Sequence, residues 1–209
     1  MVTDITKVAD FIVCKENLEK KTYEIRFGYV PIINDGTETG LCSFCLQEFE
    51  RKPSVYEIDR CFEEASRIAS MEEVKTILEG IGLTEEQMVP WMRKQLKRAI
   101  KKYDKSKAVE NFTINGIDVW LDKDTRTGLL LRFQAEKASG KTNTVLWHEG
   151  MQFPLVVDTA IQMLYAIEVY ASQTYDKTAE HLAAVDKLAS VDALIAYDYK
   201  TGYPAQLAF

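Results

Sequence analysis

Between residues 54 and 87 this sequence writes the same local signature three times: Ser54-Val55-Tyr56-Glu57, Ser70-Met71-Glu72-Glu73 and Thr84-Glu85-Glu86-Gln87. In each, a hydroxyl can accept from the amide three residues on, while the Glu or Gln reaches back to the first amide. That reciprocal pairing belongs to a helix start, so the middle of the chain is committed to helices. After the first box, Val55, Ile58, Cys61, Phe62, Ala65, Ile68 and Ala69 recur at helical spacing. The second helix should stop at Gly80-Ile81-Gly82, where glycine tolerates the left-handed turn that ends a helix. Pro90 lacks an amide, so it should break the third turn and restart the helix as its first residue, running to about Tyr103. Residues 53–107 therefore read as an all-helical segment, with a boundary at Asp104-Lys105-Ser106-Lys107.

The flanks differ from this middle. Residues 1–52 read as strand-rich. Tyr23, Ile25, Phe27 and Tyr29 alternate with Glu24, Arg26, Gly28 and Val30, the period of a half-buried strand. Asn34-Asp35-Gly36 is turn chemistry, and Leu41 to Phe49 reads as the next strand, with Cys42, Phe44 and Leu46 on one face. Phe11-Ile12-Val13-Cys14 suits a partner strand, and residues 4–16 also fit a helix. Residues 108–209 alternate element types. Asn115-Gly116 predicts a hairpin turn between Asn111–Asn115 and Ile117–Leu121. Asp122 or Asp124 can cap a helix that carries Leu129, Leu130 and Phe133 and ends at Gly140. Thr144–Trp147 and Met151–Val156 form a second hairpin across His148-Glu149-Gly150. Asp158 starts the longest helix, with Ile161, Leu164, Tyr165, Glu168 and Ala171 in one row, continuing toward Leu188 and followed by a short helix after Ser190. The expected fold is α+β: a strand-rich N-terminal part, a helical middle, and a C-terminal domain of two β-hairpins with two or three helices.

With 209 residues, 46% of them apolar, the chain is long enough to bury one large core or two small ones. The net charge of −6 is unevenly placed. Residues 1–50 carry 5 basic and 9 acidic groups, residues 51–107 carry 13 and 10, and residues 108–209 carry 8 and 13. An acidic chain is poorly suited to general nucleic-acid binding, which requires phosphate neutralisation over a broad face. No run of about 18 apolar residues suggests a membrane span. The start, Met1-Val2-Thr3-Asp4, does not have the form of a secretory signal. Cys14, Cys42, Cys45 and Cys61 are accordingly expected as thiols in a reducing compartment.

No motif for catalysis stands out. Cys42-Ser43-Phe44-Cys45 has metal-like spacing but no second pair to complete four ligands, and on a strand its two thiols point to opposite faces. His148 and His181 are too few for a three-histidine metal site, and neither belongs to a helical His-Glu-x-x-His motif. Gly80-Ile81-Gly82 lacks the rest of a phosphate-binding loop. Neither a cofactor nor a metal is expected. A small hydrolase pairing a cysteine with His148 or His181 is the rival from the enzyme class, because such partners need only meet in space.

Two features suit binding instead. In the last middle helix, Met92, Leu96, Ala99, Ile100 and Tyr103 form an apolar stripe, and Arg93, Lys94, Lys97, Arg98, Lys101 and Lys102 crowd the remaining face. That face suits plain solvation, docking to an acidic neighbour, or a membrane or nucleic-acid surface. The C-terminal aromatics Tyr165, Tyr170, Tyr175, Tyr197, Tyr199 and Tyr203, with Trp120 and Trp147, suit an interface and a small mixed core equally well.

Several pieces of residues 108–209 also resemble a phage and prophage domain family of unknown function, usually encoded among tail and tail-fibre genes. They are the Asn-Gly turn with Trp120-Leu121-Asp122, Arg126 with Gly128-Leu129, Glu136-Lys137-Ala138-Ser139-Gly140, and Leu146-Trp147. Gln162-Met163-Leu164 with Glu168-Val169-Tyr170-Ala171, Thr178 with His181, and Gly202-Tyr203-Pro204 complete the set. The resemblance covers about half of the chain and carries no catalytic residues. It implies a non-enzymatic role in the tail region, as a virion structural adaptor or tail-fibre assembly factor. The implied partners are other tail or tail-fibre proteins, in a homo-oligomer or symmetric assembly; no small-molecule substrate, specific nucleic acid or membrane span is expected. The implied setting is the host bacterial cytoplasm during assembly, and then the virion tail. The interface candidates under this reading are Trp120, Trp147, Tyr165, Tyr170 and Tyr203, together with Arg93, Lys97 and Lys101 on the basic helix.

Overall fold

A computed structural model describes residues 2–4, 13–17, 22–34, 37–64 and 69–209, and for much of the N-terminal strands it describes the backbone alone. The protein is α+β, with strands early, helices in the middle and two later hairpins. It divides into two compact units, one of residues 1–99 with 183–198 and one of residues 100–182 with 199–209.

Among the described residues the first unit opens with four antiparallel strands, β1 (Val2–Asp4), β2 (Val13–Asn17), β3 (Thr22–Asn34) and β4 (Thr37–Phe49), in the order β1-β4-β3-β2. Residues 13–17 are thus strand, while Phe11 and Ile12 lie outside the described residues. The β3–β4 hairpin closes at the pair Asn34–Thr37; Asp35 and Gly36 of the expected turn also lie outside them. β3 carries Pro31, which has no amide for a ladder. The register of β3 against β4 shifts on both sides of it, and β2 pairs only with residues 22–26. Proline is tolerated at such an irregularity.

Helices α1 (Val55–Glu64), α2 (Met71–Gly80) and α3 (Glu85–Asp104) follow from the capping chemistry. At α1, the Ser54 amide donates to Glu57 at 2.8 Å and the Glu57 amide donates to Ser54 Oγ at 3.4 Å. The same two bonds join Ser70 and Glu73 at α2. At α3 the Thr84 amide donates to Gln87 Oε1 at 3.0 Å. α2 ends as expected: the Gly82 amide donates to Glu79 O and the Leu83 amide to Leu78 O, with Gly82 at φ +82°. That pair of bonds satisfies the last carbonyls of the helix. Ala65 and Ile68, expected on α1, lie outside the described residues.

Pro90 does not restart a helix. It sits inside a continuous α3. Only one intrahelical bond is lost at its position, early in the helix, and the twenty-residue helix holds because Met88, Met92 and Leu96 are buried on either side. α2 packs against β2 and against α6 (Val191–Ala196), which starts at the Ser190 cap. The core of this unit includes Ile58, Val74, Ile77, Leu78, Met92, Leu96, Val185 and Leu194.

The second unit holds β5 (Phe112–Ile114) and β6 (Ile117–Val119), α4 (Lys123–Ala138), β7 (Asn143–His148) and β8 (Met151–Val156), and most of α5 (Val157–Asp186). Both hairpins turn through two residues with positive φ, Asn115-Gly116 (52° and 78°) and Glu149-Gly150 (47° and 80°). These are the turns whose twist matches paired strands. Asp122 caps α4 through the Thr125 amide at 2.8 Å, and that hydrogen bond holds the Asp122 carboxyl below its usual value. α4 closes through Gly140 with the same two-bond arrangement as α2.

The core cluster joins Phe112, Val119, Phe133, Leu146, Phe153, Ile161, Leu164 and Ile167. On α5 the row of Ile161, Leu164, Tyr165, Glu168 and Ala171 straddles the edge of the buried face. Ile161 and Leu164 are buried, but Tyr165 is 44% exposed and Glu168 also faces out. The buried stripe runs instead through Ile167, Tyr170, Thr174, Thr178 and His181. Tyr170 and His181 lie on it because their polar atoms find partners. Residues 207–209 lie along β5, with amides of Thr113 and Asn115 donating to Leu207 O and Phe209 O.

Candidate docking surface and cleft

The β7–β8 hairpin is apolar on both faces. One face is buried through Leu146 and Phe153, which pair across the strands. The other carries the cross-strand pairs Val145–Pro154 and Trp147–Gln152, with Val156 beside them. Trp147 is 56% exposed and Val156 53%. A two-stranded sheet with one solvated face should alternate apolar and polar residues. Val145-Leu146-Trp147 and Phe153-Pro154-Leu155-Val156 do not, and those apolar runs were the sequence signal for an uncovered second face. Arg132 of α4 donates to Val145 O at 3.3 Å and to Thr144 Oγ1 at 3.4 Å, so α4 flanks β7.

α4 and α5 expose further apolar groups. Leu131 is exposed on α4, and Tyr165 and Val169 lie one turn apart on the outer side of α5. Gln134 Nε2 donates to the Tyr165 hydroxyl at 3.2 Å, which ties the two outer faces together.

A separate cleft of about 640 Å³ is lined by Asp104, Lys105, Glu110, Trp120, Asp122, Lys123, Arg126, Glu168, Ser172 and Tyr175, among others. Arg126 organises it. Its guanidinium is buried, donates to Leu121 O at 2.6 Å and to Glu168 at 2.9 Å, and lies over the Trp120 ring, 5.6 Å from its centre. Trp120 packs in turn against Phe112. Trp120, Asp122, Arg126, Glu168 and Ala171, all singled out by the family resemblance, meet on this cleft. Asp104, Lys105 and Glu110 line it too and carried no signal in the sequence, since their partners come together only in the fold.

The remaining sequence candidates are placed as follows. Tyr170 is 2% exposed and its hydroxyl donates to Val109 O at 2.7 Å, so it is a core residue and not a contact surface. Burial pushes its hydroxyl above the usual tyrosine range. Tyr203 stacks on His181 and meets the edge of Tyr103. Thr178 Oγ1 donates to Asp104 at 2.8 Å, which leaves the Tyr203 hydroxyl to donate to Thr178 at 2.9 Å. Burial pushes the Tyr203 hydroxyl above the usual tyrosine range. His181 carries its proton on Nε2, because Thr201 O, 3.0 Å away, can only accept. His148 closes the β7 strand at the Glu149-Gly150 turn.

Most of the basic face of α3 has internal work. Lys94 and Arg98 both grip Asp59 of α1, at 2.5 and 2.7 Å, and Gln95 adds a third bond at 2.8 Å. Arg98 also meets Glu63. Arg93 donates to Leu188 O at 2.7 Å and Lys97 pairs with Asp186 at 2.5 Å. Arg93 and Lys97 are thus fasteners within the first unit, while Lys101 is exposed. Burial alone would raise the Asp59 pKa, but the hydrogen bonds from Lys94 and Arg98 outweigh it and hold the carboxyl below its usual value. At the start of α1, the Ser54 amide and hydroxyl and then Arg51 lower Glu57 to about 2.

Cys61 is a buried thiol on α1. β4 runs through Cys42 and Cys45, whose side chains, like that of Cys14, lie outside the described residues. Among the described residues no group of three or more His, Cys, Asp or Glu is arranged to hold a metal ion. No helix among them is long and apolar enough to cross a membrane. No family model, no curated protein and no solved structure matches the chain.

Proposed function

We propose that this chain is a non-enzymatic docking protein of a phage or prophage tail region, acting as a structural adaptor or as a tail-fibre assembly factor. The observation that carries the docking role is the uncovered apolar face of the β7–β8 hairpin, with Trp147 and Val156 both more than half exposed. A lone exposed apolar residue is ordinary, but a contiguous patch on a sheet face marks a contact surface. Tryptophan is also the side chain that most often anchors interfaces. Leu131, Tyr165 and Val169 offer a second apolar area on the same unit. The tail setting is supported by the resemblance of residues 108–209 to a tail-associated family.

The contact would centre on Trp147, with polar residues around it limiting water access. Residues 108–209 carry 8 basic against 13 acidic groups, so a partner with a basic rim would be drawn in faster and held in register. Interface candidates on α3 have a smaller part, because Arg93 and Lys97 already hold internal partners.

The test is mass spectrometry of density-banded particles released by the producing cells. Presence at a fixed copy number supports an adaptor. Absence from particles, with the chain bound to a tail or fibre protein inside the cell, supports an assembly factor. Absence from both overturns the tail reading.

A further inference from the structure

We propose that the cleft between Trp120 and Tyr175 is a binding site for a neutral saccharide. Its volume of about 640 Å³ suits a small ligand. Its chemistry narrows the class. Four carboxylates, Asp104, Glu110, Asp122 and Glu168, line it against three cations, Lys105, Lys123 and Arg126. Each carboxylate already has an internal partner: Asp104 accepts from Thr178, Glu110 pairs with Lys105, Asp122 accepts from the Thr125 amide, and Glu168 pairs with Arg126. With four carboxylates against three cations the cleft is one charge from neutral, so it offers little to attract an ion. It still offers carboxylate lone pairs and cationic N–H groups side by side. A ligand hydroxyl both donates and accepts, so a polyhydroxylated neutral molecule can use both kinds of group without burying a net charge.

The aromatic groups add the second half of the argument. Trp120 is half-buried and held from two sides by Phe112 and Arg126. Tyr175 stands 72% exposed at the cleft. The negative π face of an exposed ring suits the polarised C–H bonds on the apolar side of a pyranose. A phosphate or nucleotide would face the four carboxylates, and a cationic side chain would compete with Arg126 for Trp120. The buried Arg126, fixed by Leu121 O and Glu168, makes one wall rigid before any ligand arrives. This site is separate from the docking face, since neither Trp147 nor Val156 lines it.

The experiment titrates the intact chain with neutral oligosaccharides of glucose, galactose, mannose and N-acetylglucosamine. Binding is read by saturation-transfer NMR and tryptophan fluorescence. At least one should bind. Tyr175→Ala should weaken it about tenfold while Tyr175→Phe retains it, because only the ring is needed. Affinity should change less than about twofold between roughly 0.05 and 0.5 M NaCl, because no net charge is neutralised. Trp147→Ser should leave it intact. Three results would each overturn the proposal: no binding by any of them at about 10 mM, equal binding by Tyr175→Ala, or a preference for sulfated sugars that salt abolishes. Tyr175 is exposed, so its variants test the site without threatening the fold.

Discussion

Asp59 illustrates how one side chain can turn a charged helix face into a structural element. The six cations of α3 read in sequence as a solvated surface or a contact for an acidic partner. In the fold, Lys94, Gln95 and Arg98 converge on this one carboxylate, which is 7% exposed. Asp59→Asn keeps the volume but leaves Lys94 without its carboxylate and Arg98 with Glu63 alone. Lys94 is about half exposed and partly screened by water, so the expected loss is about 2 kcal/mol of unfolding free energy, measured by urea denaturation. Acid should act on the same helix. Glu57 and Asp59 both have lowered pKa values in the folded protein, so their contribution is complete above the unfolded values of 4.5 and 3.8. It is lost as pH falls through the folded values, which for Glu57 means between about 4.5 and about 2. Circular dichroism at falling pH should show the wild-type midpoint in urea dropping across that window. The slope should be shallower in Asp59→Asn.

Among the elements, the capped helices and tight hairpins were the most legible, because their signals are local. Ser54, Ser70, Asp122 and Asn115-Gly116 each act through bonds spanning a few residues. Pro90 was misread because the sequence displays the missing amide but not the buried Met88, Met92 and Leu96 that hold the helix around it. That difference is testable. Pro90 is exposed, so Pro90→Ala removes little packing and restores a backbone donor. Thermal unfolding should show α3 stabilised by about 1–2 kcal/mol after allowing for the freer unfolded chain. A destabilised variant would mean that Pro90 sets the direction of the helix entry. Which face of α5 is buried was not legible for a related reason. Helical spacing identifies neighbours on a face, but the choice between Tyr165 and Tyr170 depends on whether a buried hydroxyl finds an acceptor, and Val109 O lies 61 positions away.

The division of the chain into compact units had no local signal at all. Composition separates 53–107 from 108–209, but the second unit begins at Ile100 and excludes 183–198. Tyr103 rests against Tyr199 and Tyr203, and Asp104 accepts from Thr178, all within that unit. A fragment of 108–209 lacks these groups. It should unfold at lower denaturant than a fragment of 100–209, by about 2 kcal/mol, because it loses two half-buried ring contacts and a hydrogen bond to a charged group. Equal stability would show that residues 100–107 add nothing to that unit. The candidate cleft shares this non-local origin. Its aromatic and Arg126 wall was visible as motif pieces, while Asp104 and Glu110 join only when the chain returns on itself.

The claim that the outer face of the β7–β8 hairpin is where this protein meets its partner can be tested by placing a photo-crosslinking amino acid at position 147 in the producing cells. Irradiation during particle assembly, followed by mass spectrometry of the adduct, identifies what touches that face. The account predicts one dominant adduct, with a tail or fibre protein or with a second copy within such an assembly, and weaker adducts from the buried position 170. No adduct at position 147, with efficient crosslinking from another exposed position such as 124, would contradict it.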